Sequence, residues 1–438
     1  MPTPRHVDLA ISAPWVVPIE PAGALTGHVV LVDGGRIVAV VPEAAAARDY
    51  LARERITLDR HLLMPGLVNA HAHTAMTLLR GIADDVPLAT WLEQHIWPRE
   101  ARFVTPEFVQ DGVAVGAAEM LRGGITCCND MYFYPDAAAR AYQAAGMRAV
   151  LGLPVLDFPT PYASDADGYL QAGLATRDAF KHAPRLGFML APHAPYTVGD
   201  ATFEKIVTYA HQLDLPIQLH LQETQRELDD AIAATGVSPL VRLDRLGVTG
   251  PGFVAIHSVH LAPGDIELLA RQRCHVVHCP TSNLKLASGI APVAQLCAQG
   301  VNVALGTDGP ASNNRQDVFA EMRLAALLAK VRSRDAAALP AQQVIEIATL
   351  GGAKALGLDD RIGSLVAGKE ADLIAVNLSE LDDAPLYDPI SHLVHVAGRE
   401  RVTNVWVGGD RIVRDRQVTT LDGPALLARA RLWQQKLA

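Results

Sequence analysis

Two histidines one residue apart close a short apolar run, Met64-Pro-Gly-Leu-Val-Asn-Ala-His-Ala-His73. In a β-strand, side chains two apart point the same way. His71 and His73 would therefore leave the strand on one face, close enough to share a metal ion. His-x-His alone is a weak motif, so further ligands must come from elsewhere in the chain. His220 closes another apolar run and is followed three residues later by Glu223. His257 lies in a third, and Asp308 sits within Gly306-Thr-Asp-Gly309.

His71, His73, His220 and Asp308 give three imidazoles and one carboxylate, a set that zinc accepts while keeping a position for water. A divalent ion held there lowers the pKa of water from about 15.7 toward about 7. Glu223, near a ligand without being one, suits proton transfer between water and substrate. His257 suits polarisation of the hydroxide or of its tetrahedral product. Asp308 is expected both to bind metal and to accept the proton from water. A two-metal centre would need a bridging group from the fourth strand, often a modified lysine. The only lysines between His73 and His220, Lys181 and Lys205, fall before and after that strand. One ion per subunit is expected: zinc, with Fe2+ or Mn2+ as substitutes.

The elements that must place these groups are legible from Gly66 onward, where short apolar stretches alternate with amphipathic helical ones. Eight strands are expected, at 67–73, 124–130, 149–155, 186–193, 216–223, 253–260, 275–280 and 301–308. Most are apolar throughout, as buried parallel strands should be. Eight such units suit a (β/α)8 TIM barrel, an α/β fold whose chemistry sits at the C-terminal ends of its strands. The histidines recur at that end, and His193 closes the fourth strand. Residues 1–63 read as short strands around an Asp33-Gly34-Gly35 hairpin turn, with a short helix at 44–53. Strands are expected at 365–376 and 402–413, with Gly408-Gly409-Asp410 as a second hairpin turn. Neither terminal segment can bury a core alone. The expected organisation is therefore a composite, β-sandwich-like domain from 1–63 and 365–420, a barrel over 64–364, and a C-terminal helix over 421–438.

Composition narrows the function classes. The chain has 438 residues, half of them hydrophobic, and a net charge of −9. This argues against a nucleic-acid surface. No apolar run approaches the roughly 20 residues of a membrane span, and no signal peptide is evident at the N-terminus. The five cysteines form no C-x-x-C pair and read as reduced thiols of a cytoplasmic protein. His260, His275 and His278 read as structural or supporting residues, and Asn283 as a holder of the loop after the seventh strand.

Taken together, Pro65-Gly-Leu-Val-Asn-Ala-His-Ala-His73, His220 with Glu223, His257-Ser-Val-His-Leu, Pro280-Thr-Ser-Asn-Leu-Lys-Leu, Gly306-Thr-Asp-Gly309 and Gly368-Lys-Glu-Ala-Asp-Leu373 resemble the amidohydrolase superfamily. Within it they resemble the triazine-hydrolase and aminohydrolase branch, and there the S-adenosylhomocysteine/5′-methylthioadenosine deaminases. The resemblance covers nearly the whole chain. It implies that water displaces the 6-amino group of an adenine ring, with Glu223 protonating the adjacent ring nitrogen. It also implies that Glu100 contacts ribose hydroxyls, that Trp91 lines the substrate pocket and that His193 touches the substrate. The run Leu153-Pro-Val-Leu-Asp-Phe-Pro-Thr-Pro-Tyr162 departs from relatives that present arginines to an amino-acid tail. It suits an apolar 5′ group, so 5′-methylthioadenosine is expected ahead of S-adenosylhomocysteine and adenosine. Guanine, cytosine or triazine aminohydrolases and chlorohydrolases use similar ligands. A non-catalytic scaffold is disfavoured because no ligand is missing. The expected partners are a small nucleoside and further copies of the chain, without nucleic acid or membrane.

Overall fold

The computed structural model describes residues 3–438. Its centre is a sheet of eight parallel strands following one another in chain order. They are β1 (Leu67–Ala72), β2 (Ile125–Met131), β3 (Arg148–Val155), β4 (Leu186–Pro192), β5 (Ile217–Leu221), β6 (Phe253–His257), β7 (His275–His278) and β8 (Asn302–Leu305). Every residue of β1, β2, β3, β5 and β6 is buried. That explains runs without polar alternation, since a barrel strand faces side chains inside and helices outside.

The last strand returns to the first. Asp308 N donates to His71 O at 3.0 Å, and the side chain of Asn69 exchanges two hydrogen bonds with Thr307, at 2.8 and 2.9 Å. The barrel is thus joined at the point where two expected ligands lie. Its helices carry ordinary stop and start signals. Thr105 caps the helix Pro106–Arg122 by accepting from Phe108 N, and left-handed Gly146 ends Pro135–Ala145.

Strands from both termini form one nine-stranded sheet. The two halves meet where His61–Pro65 runs antiparallel to Leu373–Asn377. Gly34 and Gly35 both have positive φ, as a two-residue hairpin turn with matching twist requires. A Cβ on Gly35 would also fall 2.5 Å from Gly408 O, so the two hairpin turns touch. At the N-terminal end of β3, Arg148 lies between the barrel floor and this sheet. Its guanidinium donates to both oxygens of Asp372 at 3.0 Å and to Glu370 at 2.6 Å. Arg361 holds the other oxygen of Glu370 at 2.7 Å. The closing helix, Gly423–Leu437, docks through Arg429 and Trp433 on Asp111.

Several expectations are corrected. The helix at 44–53 is only Glu43–Asp49; Tyr50–Thr57 is a strand parallel to the chain's first strand. The strand at 365–376 shrinks to Leu373–Asn377. β6 and β8 stop short of their expected ends, at His257 and Leu305; positive φ at His257 and Ser258 turns the chain out of β6, and Asp308 lies in a left-handed conformation in the turn after β8. Among the described residues, no helix is long and apolar enough to cross a membrane.

Candidate metal centre and substrate cavity

The ends of β1 and β5 and the turn after β8 bring His71, His73, His220 and Asp308 together. One donor atom from each lies within 4.8 Å of all the others. His220 Nε2 is 3.2 Å from His71 Nε2 and 3.3 Å from His73 Nε2. Asp308 Oδ1 is 3.5 and 3.2 Å from the same two nitrogens.

These contacts are not hydrogen bonds that the protein can satisfy by itself. His73 Nδ1 lies 2.6 Å from Met131 O and His220 Nδ1 lies 2.7 Å from His193 O. A carbonyl only accepts, so both Nδ1 atoms carry hydrogen and, in the neutral rings, both Nε2 atoms present lone pairs. Those lone pairs face each other across 3.3 Å. Burial, reinforced by neighbouring histidines, holds His220 well below its ordinary pKa, and burial brings His71 down to about 4. Asp308 stays well below the usual carboxylate range; burial pushes upward, but His71 and His73 outweigh it. His73 alone is raised, because Asp308 and the Met131 carbonyl outweigh burial. A divalent cation held among these donors would satisfy the facing lone pairs. Two donors each about 2.0–2.1 Å from one ion in a tetrahedral set stand about 3.3 Å apart, which matches the separations here. The residues fit the metal.

Above the cluster lies a cavity of about 280 Å³. Its polar end carries Glu223, His257, His193 and Glu100 as well as the cluster. Glu223 Oε1 accepts from Ser288 Oγ at 3.0 Å, and Oε2 is 3.7 Å from His257 Nε2. Burial raises the Glu223 carboxyl above its ordinary value. His257 Nδ1 donates to Asn283 Oδ1 at 2.9 Å, leaving Nε2 as an acceptor. Asn283 therefore acts on His257 itself, beyond the loop role expected of it. Asp308 Oδ2 lies 2.6 Å from Ser282 Oγ and 3.0 Å from Ser312 Oγ. Burial also raises Glu100, whose Oε1 accepts from Tyr132 Oη at 2.7 Å. Burial, with His73 and His71 adding, lowers His193 to about 4, so its ring is neutral at physiological pH. Trp91 lines the wall from the first turn of a π-helical segment, Trp91–Ile96. The outer half is apolar, with Leu88, Trp97, Leu156, Phe158 and Pro159. No lysine or arginine is among the described residues that line it.

His73, Trp91, Glu100, His193, His220, Glu223, His257 and Asp308 thus border one cavity, and His71 is buried against the other ligands beneath it. Tyr132, Ser282, Ser288 and Ser312 were not anticipated. Tyr132 had a readable signal, an aromatic hydroxyl directly after a strand end. The serines had none, since each matters only through a distant partner.

The amidohydrolase family model matches residues 62–412. The chain belongs to the amidohydrolase family. This amidohydrolase is 48% identical over 432 residues to a 5-methylthioadenosine/S-adenosylhomocysteine deaminase of Teredinibacter turnerae, covering 98% of both chains. A crystal structure of an adenosine deaminase from Xanthomonas campestris with bound zinc is 48% identical, with a TM-score of 0.98 over 99% of both chains. Zinc-bound atrazine chlorohydrolase TrzN of Arthrobacter aurescens superposes with a TM-score of 0.90 over 97% of this chain and 99% of its own. At 23% identity, that likeness concerns the fold alone.

Proposed function

We propose that this amidohydrolase is a metal-dependent deaminase that converts an adenosine derivative and water to the inosine derivative and ammonia, with 5′-methylthioadenosine preferred. The observation that carries this reading is the convergence of four donors beneath a buried carboxyl, Glu223, in a cavity that is polar at one end and without cationic groups. His71, His73, His220 and Asp308 would hold one zinc ion per subunit. When bound, the ion supplies the Lewis acidity that makes water a nucleophile near neutral pH.

The chain's own groups account for the remaining steps. Glu223 gives a proton to the ring nitrogen next to the attacked carbon as the water oxygen bonds to that carbon. Burial raises its pKa, which favours the protonated form that this step needs. Asp308 takes the proton released by water, and His257 accepts a hydrogen bond from the adding oxygen. The carbon–nitrogen bond then breaks as the amino group takes the proton held by Asp308 and leaves as ammonia, while the added hydroxyl returns a proton to Glu223 as the carbonyl forms. Glu100, fixed by Tyr132, receives the ribose hydroxyls. Trp91 and His193 flank the base.

The apolar outer half supports a methylthio group over a zwitterionic tail, because a buried charge without a partner is costly. The Teredinibacter relative, named for both substrates, supports the nucleoside class. The free cysteines suit a reducing, cytoplasmic setting.

The test is steady-state ammonia release from 5′-methylthioadenosine, S-adenosylhomocysteine, adenosine, 5′-deoxyadenosine and guanine with zinc-loaded protein. The expected order places methylthioadenosine first, about tenfold or more above S-adenosylhomocysteine in kcat/KM. Ammonia from guanine alone, or from none of the five, overturns the reading.

A further inference from the structure

The turn that carries Glu223 is held by an unusual contact. β5 ends at Leu221, and Gln222 then takes a φ of 48° while fully buried. Such a left-handed residue is costly unless its surroundings hold it. The Gln222 side chain is fastened on both sides: Nε2 donates to His260 O at 2.7 Å and to Asp265 Oδ2 at 2.9 Å, while Oε1 accepts from Leu240 N at 3.1 Å. Its backbone is fastened from a third direction. Glu227 Oε1 accepts from Gln222 N at 2.9 Å and Glu227 Oε2 accepts from Glu223 N at 2.8 Å.

Thr224 caps the helix Gln225–Thr235, accepting from Glu227 N at 3.2 Å. In an ordinary capping box the glutamate three residues into a helix returns to the N–H of the cap residue. Here it passes the cap and grips two consecutive N–H groups before it. Successive N–H groups in such a turn form an anion-binding concavity, and the chain fills it with its own carboxylate. Capping alone does not require that reach, whereas fixing the direction in which residue 223 leaves the strand does.

We propose that Glu227 is a positioning residue for the proton-transfer step, clamping the backbone of residues 222–223 so that the Glu223 carboxyl stands over the metal cluster. It touches neither substrate nor metal. Its effect passes through Glu223, whose Oε1 is then caught by Ser288 on the opposite wall. The inference rests on the proton-carrier role given to Glu223 above.

The experiment is a double-mutant cycle of Glu223→Gln and Glu227→Gln on the zinc-loaded full chain. Rates, metal content and thermal midpoint are measured for each variant. Glu227→Gln keeps shape but turns one acceptor into a donor facing an N–H. It is expected to lower kcat by about 10²-fold, the effect of displacing a catalytic group by about an ångström. KM should change less than about threefold and the metal should remain. In the Glu223→Gln background the same change is expected to cost less than about threefold, because residues acting as a unit are not additive.

Full kcat in metal-loaded Glu227→Gln overturns the inference, as does an equal loss in both backgrounds. Thr224→Ala, which weakens the same helix start but leaves the clamp, serves as the control; a kcat loss as large as that of Glu227→Gln also overturns it. If Glu227→Gln does not fold, Glu227→Asp, which keeps the charge but withdraws it by one methylene, enters the same cycle under the same criteria. Full turnover in Glu223→Gln alone overturns both the proton-carrier reading and this inference. Loss in Glu223→Gln with none in Glu227→Gln overturns only the latter.

Discussion

The two ends of one barrel treat buried charge in opposite ways. At the floor, Arg148 and Arg361 face Glu370 and Asp372, and the carboxylates are matched by guanidinium groups. Glu370 is accordingly held below its ordinary pKa, the arginines outweighing burial. At the rim, Glu100, Glu223 and Asp308 border a cavity with no lysine or arginine among its described lining. Burial raises Glu100 and Glu223. At the floor each of these carboxylates has a guanidinium partner from the chain itself. The rim is complete only with an ion and a substrate, and its fixed, mismatched groups are what make it reactive.

That contrast can be broken from either side. Glu223→Gln is expected to reduce ammonia release about 10²–10⁴-fold, with metal content kept and the denaturation midpoint unchanged or raised. A large loss of stability in this variant would show that the rim is structural after all. Arg148→Met should do the reverse. It leaves Asp372 buried without its partner, a change that costs about 3–5 kcal/mol in denaturant unfolding, while kcat per folded, metal-loaded molecule stays as before. Unaltered stability would mean that the floor network is dispensable.

An effect confined to acid pH concerns His278, buried at the end of β7 and held by neither network. Burial lowers its pKa to about 3, whereas an unfolded histidine titrates near 6.5. Between those values the unfolded chain binds the extra proton. Its contribution is therefore full above about pH 6.5 and is lost as pH falls toward about 3, by at most about 1.4 kcal/mol per pH unit. His278→Leu should flatten the acid limb of stability against pH by that one proton. An unchanged slope would assign the acid sensitivity elsewhere.

Much of the barrel was legible because most strands are continuous apolar runs and several end in a polar group, as at Leu67–His73 and Ile217–Glu223. The rim positions of His71, His73, His193, His220 and His257 followed from that pattern. The edge strand Tyr50–Thr57 was not legible, since an alanine-rich stretch followed by charged residues has the local character of a helix. Pairing with Arg5–Ser12 overrides that preference. The ends of β6 and β8 were misplaced by a few residues because the left-handed turns at His257 and Asp308 leave no mark in hydrophobicity. Ser288 and Glu227 went unread for a different reason. Each acts on a residue that the sequence does not place beside it, or does so through a reach that local rules do not anticipate.

The seam between β1 and β8 has a consequence for how the protein is made. Asn69 and Thr307, which join it, are 238 residues apart, so the contact is non-local and closing it costs chain entropy before it is rewarded. Asp308 reaches the three histidines only through that seam. A chain released from the ribosome before its last barrel strand can display His71, His73 and His220 but cannot complete the donor set. The full donor set therefore exists only once the barrel has closed on itself.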